Sequence, residues 1–217
     1  MTQPEYIVAL LSIIVGLGLT DLAQSVRELV RPRRPTNWHW LPLLWAASTF
    51  LLAVQLWWNA FSSIKDATAQ FFFPYLTSFL LLYLTCAFAL PDPEWEAPRK
   101  DTGEPSVDSP DLPAGETPSG NETTPLDLEA FYFSSLHRRW YFGMFIAFVV
   151  TGQVGFQTAR VLGGGEIIER AFLTNGVLVA LLAALIPTDR WWVHAPISVL
   201  CFLMIGGSTI NNILGLA

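Results

Sequence analysis

Stretches free of Asp, Glu, Lys and Arg recur along the chain at residues 40–64, 67–91, 140–159, 171–188 and 191–217. A sixth, at 6–20, carries its apolar pattern on past Asp21. Crossing ~30 Å of hydrocarbon takes about 20 residues at about 1.5 Å each, so each stretch predicts one membrane-spanning helix. The first and fifth are the shortest. The pattern predicts an all-α polytopic integral membrane protein, a bundle of six transmembrane helices. Residues 1–90 form the first three spans, 91–130 a linker, and 131–217 the last three.

Composition sharpens this picture. Of 217 residues, 52% are hydrophobic and only 14% charged, and the mean hydropathy is +0.42, so six spans and their connections leave little chain for a soluble domain. The first span lacks a basic leader and does not read as a cleavable signal. The twelve Lys and Arg residues divide unevenly between alternate gaps. Nine fall on one side (Arg27, Arg31, Arg33, Arg34, Arg99, Lys100, Arg138, Arg139, Arg190) and three on the other (Lys65, Arg160, Arg170). The positive-inside bias therefore predicts both termini outside and the linker in the cytoplasm. Trp38, Trp40, Trp140, Trp191 and Trp192 fall at the cytoplasmic interface and Trp57 and Trp58 at the opposite one, as an aromatic belt does.

Residues 91–130 hold eight of the fifteen prolines and eleven of the eighteen acidic residues. So few apolar residues accompany them that burial does not offset ordering entropy, which predicts an acidic, Pro-rich, disordered linker. The formal charge of −6 belongs to it, since the rest of the chain has seven acids against ten bases. The segment 126–133 after it is apolar enough for a short interfacial helix.

Polar side chains at membrane depth are costly and are candidate functional groups. Gln55 and Asn59 are four apart on one helical face, and Gln153, Gln157 and Arg160 follow at spacings of four and three. Asn175 opens the fifth span, while Ser208, Asn211 and Asn212 close the sixth. Counting from the cytoplasmic tryptophans puts these in the outer half of the membrane. Gln55, Asn59, Gln153, Gln157, Arg160 and Asn211 are the predicted ligand-binding residues, unless they serve as packing glue with Arg160 paired to Glu5 or Glu166. Asp21 is a candidate proton-coupling carboxylate, or an ion-pair partner for Arg138 or Arg139. Ser12 with Gly16, Gly155 with Ala159, and Ala180 with Ala184 are small-xxx-small pairs suited to close helix packing.

His39, His137 and His194 share the cytoplasmic ends of the even spans, yet their spacing is not that of metal ligands, and no metal or cofactor is predicted. Cys86 and Cys201 lie inside apolar stretches and predict buried, reduced thiols. There is no GxSxG elbow, and Gly163-Gly164-Gly165 lacks the Lys and Ser or Thr of a P-loop, so no catalytic residues are predicted. Nucleic-acid binding has no basic surface.

The run Gly16-Leu17-Gly18-Leu19-Thr20-Asp21-Leu22, the Trp38-His39-Trp40 entry with Gln55-Leu56-Trp57-Trp58, and the Leu90-Pro91-Asp92 exit resemble features of uncharacterised small bacterial inner-membrane proteins. The resemblance covers most of the chain outside the linker. It implies a six-span protein of the bacterial inner membrane with no assigned activity, and no site residue carries over from it. The leading expectation is a non-enzymatic membrane module, homo-oligomeric or accessory to another membrane protein, with the lipid bilayer as its other partner. The alternatives are a small transporter or channel built on the outer polar cluster, and a sensor signalling through the acidic linker.

Overall fold

The computed structural model describes residues 3–31, 35–64, 69–92, 95, 125–162, 166 and 168–215. Most of the expected linker, residues 96–124, lies outside the described residues. The described chain is almost wholly helical: α1 (Gln3–Val30), α2 (Trp40–Ile64), α3 (Ala69–Ala87), α4 (Leu128–Phe133), α5 (Ser135–Leu162), α6 (Glu169–Leu185) and α7 (Trp191–Leu214). One short parallel pairing joins β1 (Thr36–Asn37) to β2 (Leu126–Asp127). Among the described residues three helices, in α1, α2 and α7, are long and apolar enough to cross a membrane, and shorter apolar helices run over Phe72–Ala87 and Ala171–Leu185.

The six longer helices close into a ring. α1 packs on α2, α2 on α7, α7 on α6, α6 on α5, α5 on α3, and α3 back on α1. At the end carrying Trp40, Trp140 and Trp191 the interior is filled. The Trp45 ring meets Phe142, Phe145 and Tyr141 edge-on at 5.2–5.9 Å between centroids, a geometry that aromatic quadrupoles favour. Leu41, Leu82, Leu182, Leu185 and Cys201 complete this core. Cys86 and Cys201 are both buried and unbridged.

The described chain resumes at Pro125, inside the acidic, Pro-rich stretch. Pro35 O accepts from Leu126 N at 2.8 Å, and the β1–β2 register follows. The Asp127 carboxylate then accepts from Glu129 N and Ala130 N, filling two backbone donors that a helix start leaves open. α4 packs between α2 and α5, and its Tyr132 is fully buried. The short helix expected after the linker is therefore present and packed into the bundle end.

Close helix approach depends on glycines other than most of those in the small-xxx-small pairs. A Cβ on Gly16 meets nothing within 4 Å, and Ala180 and Ala184 are exposed. Gly18 faces α3, where an added Cβ sits 3.4 Å from Cys86 Sγ, and at Gly155 one sits 3.0 Å from Pro74 Cβ. The rotation of α1 and the Pro74 position in α3 decide this, and spacing alone does not report either.

Candidate functional site

Away from the aromatic end the ring lines an open-sided cavity of about 450 Å³. Its wall comes from five helices, α2, α3, α5, α6 and α7. Counting about 1.5 Å per residue from Trp140, Gly152 and Gln153 lie some 18–20 Å along α5. Leu52, Leu56, Tyr75, Phe148, Val149 and Leu178 supply apolar surface, and Gln55, Asn59, Gln153, Asn175 and Asn212 supply amides. Pro74 sits inside α3 opposite Gly155, and Ser78 one turn on lies opposite Gly152, so small α5 residues face α3 at one side of the cavity.

The sequence-predicted residues separate here. Gln55, Asn59 and Gln153 line the cavity together. Gln55 also ties α2 to α7: its Nε2 donates to Ser208 Oγ at 3.1 Å and its Oε1 accepts from Thr209 Oγ1 at 3.0 Å. Gln153 Oε1 accepts from Asn175 Nδ2 at 2.5 Å, tying α5 to α6. Gln157 serves the connection before α6, donating to Ile168 O at 3.1 Å and accepting from Ile168 N at 3.2 Å. Asn211 is exposed, and its neighbour Asn212 faces the cavity instead. The side chain of Arg160 lies outside the described residues, and so does its expected pairing.

Gln153 is the exception among the amides. Its Nε2 is shielded from solvent and has no hydrogen-bond partner among the described residues. A buried polar atom left so costs about 1–3 kcal/mol, which a bound polar group would recover. The sequence pattern flagged the amides. It missed Tyr75, Ser78 and Gly152, which carry no polar periodicity.

The filled end holds a second polar assembly. Trp45 Nε1 donates to Ser198 Oγ at 3.0 Å and Tyr132 Oη at 3.2 Å. Tyr132 Oη lies 2.9 Å from His194 Nδ1, and His194 Nε2 lies 2.7 Å from Thr188 O. A carbonyl only accepts, so the His194 proton is on Nε2, and in the neutral ring Nδ1 accepts from the Tyr132 hydroxyl. Thr49 Oγ1 and Tyr141 Oη meet at 2.9 Å beside this chain. Burial pushes the Tyr132 phenol up to about 12, so it remains a neutral donor.

Arg138 is buried at the start of α5. Its guanidinium donates to Thr188 O and pairs with the exposed Asp189, so α5 is fastened to the turn between α6 and α7. The expected Asp21 partnership with Arg138 is replaced by this contact. Asp21 is half-buried in α1, with Leu22 and Leu29 buried beside it. His137 is buried against Phe131 and stacks on Tyr141, with centroids 5.4 Å apart. His39 packs on Phe133, which in turn meets His194, so the histidines gather around α4. No set of three His, Cys, Asp or Glu side chains converges as metal ligands among the described residues. The arrangement serves as a hydrogen-bonded plug, with α4 as its stopper.

No family model, curated protein or solved structure matches the chain.

Proposed function

We propose that this chain is a six-span integral membrane protein that holds a small ligand in the ring cavity, as a small transporter or receptor does, without catalysing a reaction. The observation that carries the reading is the cavity itself. Its volume of about 450 Å³ lies in the range of small-molecule sites, about 300–1,000 Å³, and it combines an apolar wall with a few converging amides. The six spans are α1, α2, α3, α5, α6 and α7. By the charge asymmetry the termini lie outside, the aromatic end and the linker face the cytoplasm, and the cavity occupies the outer half of a bacterial inner membrane.

The test is native mass spectrometry of protein extracted from its own membrane. Wild type is expected to retain a bound small mass. Gly152→Phe, which fills the cavity, is expected to lose it while keeping the same elution volume. Protein that carries no retained mass, and whose melting temperature is the same before and after delipidation, would sink the reading.

A second reading, self-association, is favoured by one observation. α6 leaves Gly176, Ala180 and Ala184 exposed at spacings of four, a face on which a second helix packs closely. Ala180→Cys is expected to cross-link to its copy under oxidation in the membrane, and a wholly monomeric product would exclude that face.

A further inference from the structure

We propose that the cavity ligand is an uncharged, chain-like alcohol, with its hydroxyl on the Gln153 amide and its apolar chain against Tyr75, Phe148 and Phe156. This deepens the binding reading above and rests on it. Three observations lead to the class.

The first is charge. Among the described lining residues none is acidic or basic, and Tyr75 is the one titratable group. An ion carried into such a site has no counter-charge to offset its desolvation, so a neutral ligand fits and a carboxylate or ammonium does not.

The second is the state of the amides. Gln55 already has partners on both amide atoms, in Ser208 and Thr209. Gln153 is held at one amide atom by Asn175, and the other is buried and unpartnered. Turning both amides of the pair exchanges which atom is left over, a donor in one arrangement and an acceptor in the other. A hydroxyl satisfies either, because it donates and accepts. A carbonyl or an ether satisfies only one.

The third is size and access. Benzene fills a cavity of about 150 Å³, so about 450 Å³ admits roughly 18 non-hydrogen atoms. That accommodates one medium-length chain and excludes a whole phospholipid. Phe156 is 38% exposed and also lines the cavity, so the cavity reaches the outside of the bundle there, on an apolar helix face where a membrane-dissolved molecule enters.

The experiment is photolabelling of the full chain in lipid nanodiscs with a medium-chain alcohol bearing a diazirine, followed by peptide mapping. Its carboxylic-acid and alkane counterparts run in parallel. The alcohol is expected to label the peptides holding Tyr75, Phe148 and Phe156, to saturate, and to be displaced by unlabelled decanol. Gly152→Phe is expected to abolish this labelling. Should that variant elute as aggregate, Val149→Phe narrows the same cavity and takes its place. Gln153→Leu is expected to weaken labelling by the alcohol about tenfold, the scale of one lost hydrogen bond, and to leave the alkane unchanged. Saturable cavity labelling by the carboxylate in preference to the alcohol, or equal loss of alcohol and alkane in Gln153→Leu, would overturn the alcohol class and leave the binding reading standing. Labelling that never saturates and spreads to lipid-facing positions such as Phe50 and Leu80 would overturn both.

Discussion

Trp95 meets Phe131 edge-on, with ring centroids 5.3 Å apart, although nine of the eleven acidic residues of the acidic stretch lie between them in sequence. Phe131 belongs to α4, and Leu126 just before it is tied to Pro35, so both ends of that stretch leave the bundle from one place. A loop whose ends are held together by packing does not set the helix arrangement. Closure entropy changes by only ~0.6 kcal/mol per doubling of loop length. Deleting residues 100–122 is therefore expected to leave elution volume and thermal midpoint nearly unchanged. Aggregation of the shortened protein in detergent would show that the acidic stretch packs against the helices.

Tyr132 gives a sharper test of the plug. Its hydroxyl joins α2 through Trp45 to α7 through His194, and it is buried without access to water. Tyr132→Phe keeps the ring and strands His194 Nδ1, so a loss of about 1–3 kcal/mol is expected from thermal unfolding. His194→Phe should cost a similar amount. The double variant should cost less than the sum, because the two residues share one bond. Strict additivity would separate them.

The helices were legible in the sequence wherever a charge interrupts an apolar run. α2 ends at Ile64, where Lys65 closes the apolar run, and it begins at Trp40, where the polar Thr36-Asn37 and His39 give way to apolar residues. Rotation and neighbour order were not legible. Arg138 pairs with Asp189 rather than Asp21, since the α6–α7 turn and not α1 lies over the start of α5, and no local pattern records that. Trp45 and Ser198 sit in apolar stretches as ordinary residues, and only the α2–α7 pairing makes them partners. For the cavity, the spacing of Gln55 and Asn59 pointed to the face of α2 that lines it. The same reasoning placed Gln157 with them, where the fold uses it to hold the Ile168 backbone.

The glycines allow the ring itself to be tested by two substitutions of identical chemistry. Ala exceeds Gly in helix propensity by about 1 kcal/mol, so Gly→Ala stabilises a helix wherever the new methyl has room. At Gly16 nothing lies within 4 Å of the added Cβ, and Gly16→Ala is expected to raise the melting temperature slightly. At Gly155 the methyl would sit 3.0 Å from Pro74 Cβ, part of a stiff ring in the facing helix. Overpacking of that kind costs about 1–3 kcal/mol and exceeds the propensity gain, so Gly155→Ala is expected to lower the melting temperature. It should also push α3 and α5 apart beside the cavity, since Pro74 and Gly155 both line it. Pro74→Gly, which removes that Cβ, is expected to rescue Gly155→Ala in part. If Gly16→Ala and Gly155→Ala behave alike, α3 and α5 do not approach each other at Pro74 and Gly155, and these residues do not close the cavity wall.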